Sequence, residues 1–236
     1  QSLALSERIE HGDLAPPTAA VWAYYLVHGD LAAAAEAAHR LEALGGPDLE
    51  PEILCCIGVQ RFFEGRCRDA RQVLDASVRG FEQRRPEERA SRRWLLPSDA
   101  CCVALTHLGA VHWLVGETEE SHVRFAQARE RARALPHYPP GVFTAAYVAS
   151  YETLVATLAG RYEEGMALAE ETTALGEQYG MLFWLSTGAA GRALCAGYLG
   201  DPGAALAMIT TAMAQWRGLG AEALLPFSIA QRAEMH

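Results

Sequence analysis

Apolar residues recur along this chain at three- and four-residue intervals. Cys101, Ala104, Leu108, Val111 and Val115 are spaced 3, 4, 3 and 4, which places them on one face of a helix. Tyr162, Met166, Ala169 and Thr173 follow a similar spacing. Ala is abundant and period-two alternation is sparse, so the pattern predicts helices rather than strands. One turn interrupts these stripes five times: Gly29-Asp30-Leu31, Gly65-Arg66-Cys67, Gly116-Glu117-Thr118, Gly160-Arg161-Tyr162 and Gly200-Asp201-Pro202. Each copy follows an apolar or aromatic run and opens an Ala-rich one. The glycines lie 36, 51, 44 and 40 residues apart. A device repeated at that interval predicts stacked helical hairpins, an architecture that presents a surface.

The predicted hairpins cover residues 14–45, 51–82, 98–135, 142–177 and 183–217, and 223–236 opens a sixth, all within a single repeat domain spanning 1–236. Gly45-Gly46-Pro47 ends the first hairpin, because glycine caps a helix and proline cannot continue one. Pro136 to Gly141 breaks the chain after the third, and Gly218-Leu219-Gly220 after the fifth. Ser98 or Asp99 is positioned to cap the helix that follows it. A small residue stands five places after every turn glycine: Ala34, Ala70, Ser121, Gly165 and Ala205. Two helices that approach closely beyond a tight turn require this. The run beginning near Ala223 has no following helix to cover it, so Leu225, Phe227 and Ile229 are expected to be unpaired, and the exposed end favours a homodimer.

Composition narrows the function classes. The 236 residues carry a formal charge of −9, a poor match for a polyanion, so direct nucleic-acid binding is not expected. Two Arg-rich stretches, Arg84 to Arg93 and Arg124 to Arg133, are interleaved with Glu82, Glu87, Glu88 and Glu130. They read as solvated helix faces with pairs such as Glu120/Arg124. All 20 basic residues are Arg; lysine and asparagine are absent, which points to a GC-rich bacterial gene. No Schiff-base lysine and no phosphate-cradling P-loop lysine can exist in such a chain. No apolar run is long enough to cross a membrane, and Gln1-Ser2-Leu3-Ala4-Leu5-Ser6 is unlike a signal peptide. The missing initiator Met suggests a fragment of a larger multidomain protein. Six cysteines (Cys55, Cys56, Cys67, Cys101, Cys102 and Cys195) form no Cys-x-x-Cys pair, so they read as small buried hydrophobes in a reducing cytoplasm.

Leu108-Gly109, Gly116, Ser121, Phe125, Ala128 and Pro136 resemble one tetratricopeptide repeat, Gly58 repeats the Gly109 position, and Tyr25 matches the expected aromatic. The resemblance implies an all-α fold, a right-handed superhelical solenoid of antiparallel helix hairpins. Glu177-Gln178-Tyr179-Gly180-Met181-Leu182-Phe183-Trp184 and Ala214 to Glu222, with Leu225-Pro226-Phe227 and Ala233-Glu234, are similar to the C-terminal repeats of bacterial STAND-type ATPase regulators. Those proteins pair an NTPase module with a LuxR-type (MalT-like) DNA-binding domain or an adenylate/guanylate cyclase domain. The resemblance implies a cytoplasmic, non-catalytic sensor or protein-interaction region. Its partner would be another protein or the parent's own NTPase or output domain.

In that fold the first helix of each hairpin lines a concave groove. The resemblance points Val103, Thr106, Ala110, Trp113 and Leu114 inward in the third repeat. In the fourth it points Tyr147, Ser150, Leu154, Thr157 and Leu158, and in the fifth Thr187, Ala190, Leu194, Gly197 and Tyr198. The candidate binding surface is therefore Thr106, Trp113, Tyr147, Ser150, Thr157, Thr187 and Tyr198. It carries no charge, which disfavours a clamp for peptide carboxylates and suits an amphipathic helix. The alternative is a small hydrophobic inducer near Trp113, Tyr147 and Tyr198. The plainer reading is that these side chains only pack the solenoid's interior. His107 and His112 diverge by about 140° on a helix and cannot easily share a metal, although His112 and His122 could meet across a turn. No nucleophile elbow occurs, and the pairs Glu119-Glu120, Glu163-Glu164 and Glu170-Glu171 sit where acids favour the helix dipole or face solvent. No catalytic, cofactor or metal residue is assigned.

Overall fold

A computed structural model describes residues 14–44, 46, 49–84, 95–135 and 140–234. The N-terminal segment Gln1–Ser6, the breakers Gly45, Pro47 and Pro136, the Arg85–Arg93 part of the first Arg-rich stretch, and His236 lie outside the described residues. Among the described residues every regular element is a helix, and most helices that follow one another within a compact unit pack together. They are α1 (Ala15–Val27), α2 (Leu31–Leu44), α3 (Glu50–Phe63), α4 (Cys67–Gln83), α5 (Ala100–Leu114), α6 (Thr118–Arg133), α7 (Val142–Leu158), α8 (Tyr162–Tyr179), α9 (Leu182–Tyr198), α10 (Pro202–Gly218) and α11 (Leu225–Glu234). The chain divides into two compact units, residues 1–26 with 30–134, and residues 27–29 with 135–236.

The five turns share one backbone solution. Each turn glycine has positive φ, from 73° at Gly160 to 119° at Gly200. The N–H after the glycine reaches back five residues: Asp30 to Tyr25, Arg66 to Arg61, Glu117 to His112, Arg161 to Ala156 and Asp201 to Ala196, at 2.8–3.1 Å. The carbonyl of that same residue then accepts the first bond of the next helix, as in Ser121 to Glu117 and Gly165 to Arg161. This is a Schellman closure, which satisfies the orphan carbonyls of one helix and starts its partner within two residues. An L-residue in the glycine's left-handed conformation costs about 1–2 kcal/mol. Gly180 and Gly220 close α8 and α10 in the same way, through Met181 to Gly176 and Ala221 to Trp216.

The small residues five places on are all buried: Ala34, Ala70, Ser121, Gly165 and Ala205. A Cβ on Gly165 would meet Cys195 Sγ at 2.9 Å and Ala156 Cβ at 3.6 Å, so the position faces both its own hairpin and the next one. Gly58 and Gly109 have equivalent settings. A Cβ there would lie 2.6 Å from the Leu74 side chain of α4 and 2.7 Å from the Phe125 ring of α6, each the partner helix of its own hairpin. Gly176, expected near the end of the fourth hairpin, lies inside α8, and a Cβ on it would sit 2.5 Å from the Leu185 backbone nitrogen of α9. It is a packing glycine; the cap is Gly180.

In the first unit the open ends of two hairpins are tied by charge. Arg84 Nη1 donates to Glu52 Oε1 at 2.6 Å, and Arg131 Nε donates to Asp99 Oδ1 at 2.6 Å, with partners 32 residues apart in both cases. Asp99 also caps α5, accepting from the Cys102 N–H. The Phe81 ring lies 5.0 Å from the Arg84 guanidinium and 5.9 Å from that of Arg131. In the second unit the corresponding ties are neutral: Ser186 donates to Gln215 at 3.0 Å and Trp216 to Thr187 at 3.2 Å. Leu225 is buried with Ile209, Met213 and Trp216, and Phe227 packs against the same cluster. This corrects the expectation that both would be unpaired: α11 lays one face on α9 and α10. Ile229 on the other face is exposed.

Candidate functional site

The seven candidate residues fall in distinct settings. Thr106 is fully buried in α5, and its hydroxyl donates to the Cys102 carbonyl at 2.7 Å. Trp113 is half-buried near the end of the same helix. Both belong to the first unit. In the second, Tyr147 joins an aromatic cluster with Tyr151, Phe143, Phe183 and Trp184; its ring is 5.0 Å from Tyr151 and 6.0 Å from Trp184. Tyr198 stacks on Tyr162 with rings 4.6 Å apart and 5° from parallel. Its hydroxyl donates to Glu234 at 2.7 Å, so the side chain is committed to α8 and α11.

Ser150, Thr157 and Thr187 line a cavity of about 40 Å³ in the second unit. Leu154, Ala190 and Leu194, also read as inward-facing, share its wall, and α8, α10 and α11 add Thr172, Trp216 and Phe227. At roughly 10–15 Å³ per water this volume holds about three water molecules. Pockets that enclose a free drug-sized ligand run to about 300–1,000 Å³.

The hydroxyls in this wall hold a uniform orientation. Thr153 donates to Ala149, Thr157 to Thr153, Thr172 to Leu168 and Thr187 to Phe183, each to the carbonyl four residues back at 2.8–3.0 Å; Ser150 donates to Tyr147 at 2.8 Å. A hydroxyl has one proton and two lone pairs, so these oxygens offer only acceptors to the cavity. Sequence reasoning found the hydroxyls but not this polarity, which depends on helical rotamers rather than residue type. It also missed Thr153 and Thr172, and the α10–α11 side of the wall. The glycines that bring the helices together are the signal that could have found them: a Cβ on Gly188 would sit 2.3 Å from Thr173 Oγ1, and one on Gly191 2.8 Å from Thr153 Cγ2.

Most other reactive side chains are tied into the structure; Cys67, expected to be a buried hydrophobe, is instead a partly exposed free thiol at the start of α4. Cys55, Cys56, Cys101, Cys102 and Cys195 are buried free thiols, and burial pushes Cys56 up to about 12, far from the thiolate form. His107 is fully buried against Phe62, and its Nδ1 lies 3.0 Å from the Val103 carbonyl, which can only accept, so Nδ1 carries the proton. Burial lowers its pKa to about 4. His112 Nδ1 contacts Glu117, which also accepts from Arg71 at 2.8 Å. These hydrogen bonds, His112 first, hold the Glu117 carboxyl below its usual range. Among the described residues no group of three or more His, Cys, Asp or Glu is placed to hold a metal. Glu120 pairs with Arg124 at 2.9 Å, and Glu163, Glu170 and Glu171 face solvent. Among the described residues no helix is long and apolar enough to cross a membrane. Compared with family models, curated proteins and solved structures, the chain matches none.

Proposed function

We propose that this chain is the repeat region of a cytoplasmic bacterial regulator of the STAND ATPase type, a right-handed tetratricopeptide-like solenoid without catalytic activity of its own. Its role is to bind a protein partner, or the parent's own NTPase or output domain, and so shift that domain's equilibrium between states. The recurrent turn carries this reading: five hairpins closed by the same glycine, the same backward hydrogen bond and the same buried small residue form a repeated interaction scaffold. The burial of five of the six thiols and the carboxylate-bound His112 favour a binding role over nucleophilic or acid–base work. The cavity's size favours docking of a partner's side chain over enclosure of a free inducer.

Removal of residues 14–234 from the full-length parent tests the reading. Output activity and its response to effectors should change, with the isolated output domain still folded. An unchanged response would refute the regulatory role.

A further inference from the structure

Five helices converge on the cavity of the second unit, and the chemistry of its wall selects a guest. No lining residue is charged. A carboxylate or phosphate would meet no cation, and an ammonium or guanidinium no carboxylate, so a charged guest would be desolvated without compensation. Thr153, Thr157, Thr172 and Thr187 have spent their protons on their own helices, and the Trp216 indole N–H is spent on Thr187. The Thr153, Thr157 and Thr187 oxygens still accept, whereas Thr172 is fully buried behind them. The Ser228 hydroxyl, on α11, has its proton uncommitted among the described residues, and the residue is buried. The wall therefore offers several acceptors, one donor, and apolar surface from Leu154, Leu194 and Phe227.

We infer that this cavity receives a threonine-like side chain presented by a docked polypeptide, a neutral hydroxyalkyl group of about three non-hydrogen atoms, which is what about 40 Å³ accommodates. The guest's O–H donates to a threonine oxygen of the wall, its oxygen accepts from Ser228, and its methyl group lies against the leucines. This rests on the protein-interaction reading above and specifies the partner's anchoring side chain.

Threonine-methyl NMR on the full chain tests it, with ethanol as the side-chain probe. Ethanol should shift the Thr153, Thr157, Thr172 and Thr187 methyls saturably, whereas acetate and ethylammonium at equal concentration should not. Ser228→Ala should weaken ethanol at least threefold and leave xenon binding unchanged. A capped threonine, N-acetylthreonine methylamide, should bind more tightly than ethanol. No saturable shift, equal binding of either ion, or an unaltered ethanol affinity in Ser228→Ala would overturn the assignment. If ethanol binds as tightly as capped threonine, the guest is a free alcohol and the docked polypeptide is refuted. None of these results bears on the parent's response to deletion, so the two readings fail separately.

Discussion

Substituting Gly176 by alanine tests how closely the repeats nest. An added Cβ lies 2.5 Å from the Leu185 nitrogen and 2.8 Å from its Cα, where ordinary contact is 3.4–4 Å. Both clashing atoms are backbone, so no rotamer change relieves them, and α8 and α9 must separate by about 1 Å. Overpacking of this kind costs about 1–3 kcal/mol, against a helix-propensity gain of up to about 1 kcal/mol for alanine over glycine. The net expectation is a loss of about 1–2 kcal/mol. Gly203 supplies the control: it lies in the first turn of α10, exposed, with nothing within 4 Å of an added Cβ. Gly203→Ala should be neutral or stabilising by no more than about 1 kcal/mol. Urea unfolding followed by far-UV circular dichroism reads both, with a lower midpoint for Gly176→Ala and an equal or higher one for Gly203→Ala. A Gly176→Ala midpoint at or above that of the wild type would refute the close approach.

His107 makes stability sensitive to acid. Its folded pKa of about 4 lies below the ordinary 6.5, so the unfolded chain takes up a proton the folded chain refuses. Stability from this site is complete above pH 6.5 and falls as pH drops towards 4, by about 3 kcal/mol in total. His107→Gln should flatten the difference in unfolding free energy between pH 6.5 and 4.5, and an identical pH profile would exclude the effect. Ser121 buries a hydroxyl that has no hydrogen-bond partner among the described residues, so Ser121→Ala should raise stability by about 1 kcal/mol in the same urea assay. Asp99→Ala removes both the α5 cap and the partner of Arg131. A loss of about 3 kcal/mol is expected, with Asp99→Asn retaining part of it through the cap, and equal stabilities for the two variants would contradict that division.

Helices and their ends were legible because the deciding chemistry is local. A positive-φ glycine followed by a helix start fixes a turn regardless of distant contacts, and α2 and the start of α7 fall where the apolar runs place them. Gly176 was less legible, since a glycine demanded by a neighbouring helix and one that caps a helix read alike in sequence. The charged ties Glu52–Arg84 and Asp99–Arg131 were hidden for the same reason: both are contacts across a hairpin, visible only once its two helices are placed. The candidate surface was legible in residue type, with Ser150, Thr157 and Thr187 meeting in one cavity. Tyr198 was not placed, because its stacking on Tyr162 and its bonds to α11 depend on packing between hairpins.

The repeated-hairpin scaffold predicts that stability passes mainly between neighbouring hairpins, although the Val27 carbonyl also accepts from the Glu222 and Ala223 N–H groups, and residue-resolved hydrogen exchange of Gly160→Ala measures this most directly. Gly160 has φ of 73° and nothing within 4 Å of an added Cβ, so the substitution strains the turn alone, by about 1–2 kcal/mol. Protection should fall in α7 and α8 and in α9, which packs on both, while α3 and α4 keep theirs. An equal loss of protection in every helix would show a single cooperative globule and contradict the account.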